Sequence, residues 1–277
     1  MLSFFNFLLE ETNPTDKPKK VKSDVIGKVH EFLVHRNLGG KATPQEIAAY
    51  KKHKQTLGRK LYNAAVIRAQ HASDHIEKHL IGRKGVSRVE RVSGTGNPQD
   101  PSDLHIHFKN GKKIGISLKT TQSDSKEVKL SNPGLAAVNS IHNKTIKRDP
   151  DRQQHLWNIA HEVHQGFNNS SPQEKQDYLK KHVFRVPDKL EVYGVHTINQ
   201  NKTPATAHFK YHDHFTPLIN DAQNITTKRT GNTVNFFHPS SKKAVASLRM
   251  KYRDAEENSP IKAAISTNII PNSFYKR

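Results

Sequence analysis

The sequence predicts a mixed α/β (α+β) fold, a mixed sheet flanked by helices, with a helical N-terminal addition and a β-rich C-terminal one. Three observations predict it. Apolar residues recur at helical spacing over most of 24–80, three short alternating runs follow at 85–93, 103–109 and 113–120, and four more such runs come after residue 188. Hydrophobic residues make up 33% and aromatics 7% of the 277 residues, so the core is modest for the length.

Residues 1–10 read as a short amphipathic helix, and the polar, proline-containing 11–23 as a linker. Val25, Ile26, Val29, Phe32 and Leu33 set a helix over 24–38 that stops at Gly39-Gly40. The next helix opens on "TPQE", with Thr43 as N-cap, Pro44 in the first turn and Glu46 closing a capping box. It runs to about Leu80 with a break near Gly58. "NPGLAAVNSIHNK", 132–144, restarts helix, and 151–182 continues it. Strands are expected at 189–198, 203–212, 233–238 and 244–252. These elements form one domain over 24–277, with a core at about 60–200 and a β-rich extension over 200–277.

The balance of charge narrows the partners. Lys and Arg outnumber Asp and Glu by 45 to 25, a net charge of +20. That implies a polyanion, DNA first, because each neutralised phosphate releases counterions. Over 41–92 alone there are 12 Lys/Arg against four acids, so the helical region is already a basic surface. The chain has no cysteine, which excludes disulfides, thiolate zinc centres and cysteine nucleophiles, and fits a reducing compartment such as bacterial cytoplasm. No apolar run approaches the roughly 20 residues of a membrane span, so no membrane partner is expected. "MLSFFNFLLEE" lacks a basic leading segment and makes a poor secretory signal.

The chemistry concentrates in "SDLHIHFKNGKKIGISLKTT", 102–121. Asn110-Gly111 between alternating runs signals a hairpin. A three-residue loop over 109–111 pairs Phe108 with Lys112, sets Leu104 against Ile116 and Ile106 against Ile114, and so makes one apolar face. A two-residue loop would place Asp103 among those apolar residues, and a slip of one residue reverses every side chain. The opposite face then carries Asp103, His105, His107, Ser117 and Lys119. A carboxylate at the start of one strand and an amine at the end of the next suit phosphodiester chemistry. The carboxylate holds a divalent cation and the ammonium stabilises charge on the phosphate.

"SDLHIHF…GISLKTT" resembles the PD-(D/E)XK, or restriction-endonuclease-like, nuclease superfamily, in which a hairpin displays an Asp and then an acid-x-Lys. Pro101-Ser102-Asp103 stands for the first element and Ile116-Ser117-Leu118-Lys119 for the second, with Ser117 where an acid is usual: a Ser-x-Lys variant. The resemblance implies a restriction-endonuclease-like core and a Mg²⁺- (or Mn²⁺-) dependent DNA endonuclease. It implies Asp103 as metal ligand, Ser117 flanking it, Lys119 assisting the nucleophile and the Leu118 carbonyl as a further ligand. The missing acid would come from the preceding helix, where Glu77 is preferred over Asp74. Lys112, Lys113, Thr120, Thr121, Lys129, Ser131 and Asn132 are the expected phosphate contacts, Asn132-Pro133-Gly134 opening a helix N-terminus that favours phosphate. Double-strand cleavage usually needs two active sites, which points to a homodimer.

Other constellations are weaker. His161, Glu162 and His164 lack the zincin spacing. "HFKYHDHF", 208–215, offers histidines for a metal but reads more simply as surface or phosphate contacts. "SGTGNPQD" lacks the ending of a phosphate-binding loop. "MLSFFNFLLEE" resembles the capsid-targeting peptides of T-even-type tailed phages, which end at a Leu/Ile-x-Glu cleavage point matched by Leu8-Leu9-Glu10. That resemblance implies a phage-encoded, virion-packaged protein; an amphipathic docking helix explains the segment equally well. A non-catalytic, basic DNA-binding protein is the alternative to the nuclease.

Overall fold

The computed structural model describes residues 23–82, 84–92, 100–120, 128–134, 152–200, 203–252 and 261–269. The expected N-terminal peptide and linker thus lie outside the described residues, as does Thr121.

Helix α1 (Ser23–Asn37) ends where Gly39 turns to φ 83°, and the Arg36 guanidinium donates to the Gly40 carbonyl at 2.7 Å. Helix α2 (Pro44–Ile76) opens on the expected capping box: the Thr43 hydroxyl accepts from Glu46 N–H at 3.2 Å, and the Glu46 carboxylate accepts from Thr43 N–H at 2.8 Å. Gly58, at φ 68° and ψ 159°, breaks α2 into two segments, and a π-helical turn over Glu77–Ile81 closes it. Ile26, Val29, Leu33, Ala65, Ala69, Ala72 and Ile76 face inward from these helices and are buried.

They cover one face of a five-stranded mixed sheet, ordered β1-β2-β3-β5-β6. Strands β1 (Val86–Arg91), β2 (Leu104–Phe108) and β3 (Lys113–Thr120) are antiparallel; β5 (Glu191–Gln200) runs parallel to β3, and β6 (Thr203–Lys210) returns antiparallel. The hairpin has the register the alternation predicts. Leu104 pairs with Ile116 and Ile106 with Ile114, Phe108 N–H donates to Lys112 O at 2.8 Å, and Gly111 adopts φ 82°. Leu104, Ile106, Ile114, Ile116 and Leu118 are all buried under α1 and α2.

A second, antiparallel sheet has the order β4-β10-β9-β8-β7, with β4 at Val128–Gly134, β7 at Thr226–Thr230, β8 at Thr233–Phe237, β9 at Ala246–Tyr252 and β10 at Ile261–Ile269. Helix α3 (Arg152–Asn169) packs on this second sheet, α5 (Tyr211–Asn220) packs on β5 and β6 of the first, and the short α4 (Pro172–Tyr178) touches α5. Phe167, Leu179, Phe215, Ile219, Phe236 and Leu248 make that second core, which reaches the first sheet through Val192 and Ala207.

Two expectations are corrected. Residues 132–134 do not open a helix; they end β4, Asn132 pairing with Ile265 and Pro133 with Ala264. Strand β4 is an edge strand, where a proline lacking an N–H is tolerated. The strand expected over 203–212 stops at Lys210, because Tyr211, Phe215 and Ile219, spaced by four, make the buried stripe of α5. No helix among the described residues is long and apolar enough to cross a membrane.

Candidate active site

Asp103 stands immediately before β2 with its backbone clamped on both sides: its N–H donates to Ile116 O at 2.8 Å, and its carbonyl accepts from Val92 N–H at 2.9 Å. Its Oδ2 accepts the Leu118 N–H at 2.6 Å and the Lys119 ammonium at 3.4 Å. The carboxylate is thereby fixed across the open end of the hairpin. Asp103 and Lys119 side chains are 22% and 24% exposed, so the pair is partly desolvated yet reachable. Burial works against the Lys119 ammonium, but the Asp103 charge and hydrogen bond, with Tyr211 and Glu31, together outweigh it. The Lys119 pKa is raised above the ordinary lysine value.

A further acid within electrostatic reach of this pair stands on α1. Burial, and after it the Asp103 charge, raises the Glu31 pKa to about 7 against the pull of Lys119, Arg91 and Lys28. Arg91, at the end of β1, holds Glu31 at 3.6 Å and Glu46 at 3.4 Å, which fixes the α1 acid relative to the sheet. Glu77 is exposed on the π-helical turn, and among the described contacts nothing joins it to Asp103 or Lys119; Asp74 is likewise exposed, accepting from Gln70 at 2.7 Å. Among the described residues, Glu31 is the acid whose ionisation Asp103 and Lys119 both influence. Its reach to Asp103 depends on how α1 crosses the sheet, a long-range contact that local spacing does not encode.

Ser117 is 1% exposed, and its hydroxyl hydrogen-bonds the Tyr211 side chain at the start of α5. Tyr211 is buried, which raises its pKa and keeps the phenol neutral. Arg185, whose φ of 52° is unusual for a non-glycine residue, donates to Asp100 O at 3.1 Å and lies within electrostatic reach of Asp103. His30, within electrostatic reach of Lys119 and Arg68, is buried, as is Arg68. Burial, then the Arg68 charge, lowers the His30 pKa to about 3 and keeps that imidazole neutral. The site is thus two carboxylates in a frame of fixed cations.

The structure spreads the other expected residues. Lys112 is tied to Glu191 at 2.7 Å; Lys113 is exposed beside it, and Thr120 ends β3, half-buried. Lys129, Ser131 and Asn132 belong to β4 of the second sheet instead of a loop at the site. Leu118 contributes its N–H to Asp103. Sequence reasoning missed Glu31, Tyr211 and Arg185, none of which sits in a motif.

Chemically, the donor set suits a hard divalent cation. Two carboxylates couple repulsively, and one of them is held near its protonation threshold, so a divalent ion between them would relieve a repulsion that Lys119 and Arg91 offset only in part.

Among solved structures, the chain is similar to the restriction endonuclease MspI, solved in complex with its cognate DNA, with a TM-score of 0.34 and 8% identity over 90% of this chain and 100% of MspI. No family model matches the chain, and no curated protein matches it.

Proposed function

We propose that the chain is a Mg²⁺-dependent DNA endonuclease, Mn²⁺ substituting, that hydrolyses phosphodiester bonds at the open end of the β2–β3 hairpin. One observation carries the reading. Asp103 accepts from Leu118 N–H and the Lys119 ammonium, and its charge helps burial raise the pKa of a second acid, Glu31, to about 7. Asp103 and Glu31 would hold the metal, with the Leu118 carbonyl as an additional oxygen. When bound, the metal supplies Lewis-acid polarisation of a phosphate oxygen and a water of lowered pKa.

The chain's own groups do the rest. Lys119 is held as an ammonium, so it acts by donating to the phosphate or the attacking water and stabilising developing negative charge, not as a base. Asp103 orients it through the 3.4 Å contact. Arg185 adds a fixed positive charge beside Asp103. Lys113, Thr120 and the net charge of +20 favour a phosphate backbone over any neutral substrate. A homodimer would place two such centres on opposite strands.

The test is nicking of supercoiled plasmid with Mg²⁺ by the full chain and by Asp103→Asn and Lys119→Ala. Each substitution is expected to lower the rate by about 100-fold or more; undiminished cleavage by both overturns the assignment. A second reading, a non-catalytic DNA-binding protein, draws on Ser117, which is spent on Tyr211 where a second acid is usual. It predicts salt-sensitive DNA retention with no metal-dependent cleavage.

A further inference from the structure

A second cluster lies on the same sheet face, outside the site described. Glu90 of β1 pairs in register with His105 of β2, and His107 follows two residues along, paired with Arg88. One ring nitrogen from each histidine and a Glu90 carboxylate oxygen all lie within 4.8 Å of one another. The alternation that buries Leu104, Ile106 and Phe108 under the helices leaves both imidazoles on the opposite face. His-x-His on one strand with an acid directly opposite is a ligand set for a borderline-soft ion, chemically unlike the all-oxygen pair of Asp103 and Glu31.

The surroundings are built for ligation. His105 Nε2 donates to Asp100 Oδ2 at 2.8 Å, since a carboxylate accepts only, which assigns the neutral ring's lone pair to Nδ1. A histidine oriented by a carboxylate behind it is the usual outer arrangement of a metal-bound imidazole. Asp100 is itself placed: its Oδ1 accepts from Ser102 N–H at 2.9 Å, and its carbonyl accepts from Arg185. His107 Nε2 sits 3.1 Å from Glu90 Oε2 and 3.3 Å from the Arg88 guanidinium, between an acceptor and a donor that one proton position cannot both satisfy. Arg88 also reaches Glu90 at 3.2 Å, but its side chain is 63% exposed and free to swing out.

From this geometry we infer that Glu90, His105 and His107 form a binding site for a first-row transition ion, Zn²⁺ by preference. Three protein ligands leave a position open to water or to an oxygen of a bound substrate. His105 follows Asp103 by two residues, so its backbone lies about 7 Å along the chain from that of Asp103. It does not depend on that site being catalytic.

The experiment uses the full chain without a polyhistidine tag, stripped of metal and titrated with Co²⁺ as the spectroscopic probe, then with Zn²⁺ in competition against a chromophoric chelator. The wild type is expected to take up one ion with a visible d–d band, displaced by Zn²⁺. His107→Ala, His107→Gln and Glu90→Gln should each weaken binding about 10- to 100-fold, Arg88→Ala should tighten it, and Asp103→Asn and His212→Ala should leave it unchanged. Absence of the band from the wild type overturns the site. So does a band that survives intact in folded His107→Gln and Glu90→Gln, or one that Asp103→Asn abolishes.

Discussion

Glu31 is the residue on which the account turns, and its protonation makes a prediction that needs no substrate. Its folded-state pKa of about 7 stands above the ordinary 4.5. Its favourable contribution is therefore full below about pH 4.5 and is lost as the pH rises through 7. In metal-free buffer Glu31→Gln should accordingly stabilise the protein at pH 8, by up to ~2–3 kcal/mol given about 1.4 kcal/mol per pKa unit, and do little at pH 5. Thermal melts with EDTA at both pH values measure it; equal shifts at the two would contradict the burial of this acid beside Asp103. Asp103 offers a complementary contrast. Asp103→Asn keeps an oxygen for the Leu118 N–H and should melt close to wild type, whereas Asp103→Ala leaves that donor unpartnered and should cost about 1–3 kcal/mol more. Denaturant titration of the pair checks this.

At the scale of elements, the hairpin is what brings the chemistry together. Gly111 sits at φ 82°, where a side chain is strained, so Gly111→Ala should cost about 1 kcal/mol and reduce cleavage by loosening the register that aligns Asp103 with Leu118. Unfolding and nicking assays on that variant measure both effects. The hairpin was legible because its information is local: a turn with one permissive glycine and an apolar alternation that only one register satisfies. The cap of α2 was legible for the same reason. Glu31 was not, since α1 reads as an ordinary amphipathic helix and nothing in its spacing tells which acid will meet a strand more than seventy residues away. Strand β4 was misread because Asn-Pro-Gly signals a helix start or a turn in isolation, and only its pairing with β10 makes it an edge strand. Helix α5 was masked by histidines that suggested a metal run, although Tyr211, Phe215 and Ile219 carried the helical period.

Across the whole molecule, two sheets and two hydrophobic cores meet at β5, with Val195 in one core and Val192 in the other. Helices α1 and α2 cover one face of the first sheet, and α5 packs against β5 and β6. With a net charge of +20, DNA binding should not depend on the site's carboxylates. Glu31→Gln is expected to bind duplex as tightly as wild type without metal, both losing affinity by about tenfold or more between ~50 and ~200 mM salt in a gel-shift titration. The central claim is that Glu31, not Glu77, completes the centre formed by Asp103 and Lys119. The rate of Mg²⁺-dependent plasmid nicking by Glu31→Gln beside that of Glu77→Gln tests it most directly. The account predicts a loss of about 100-fold for the first and a wild-type rate for the second; a fully active Glu31→Gln enzyme would contradict it.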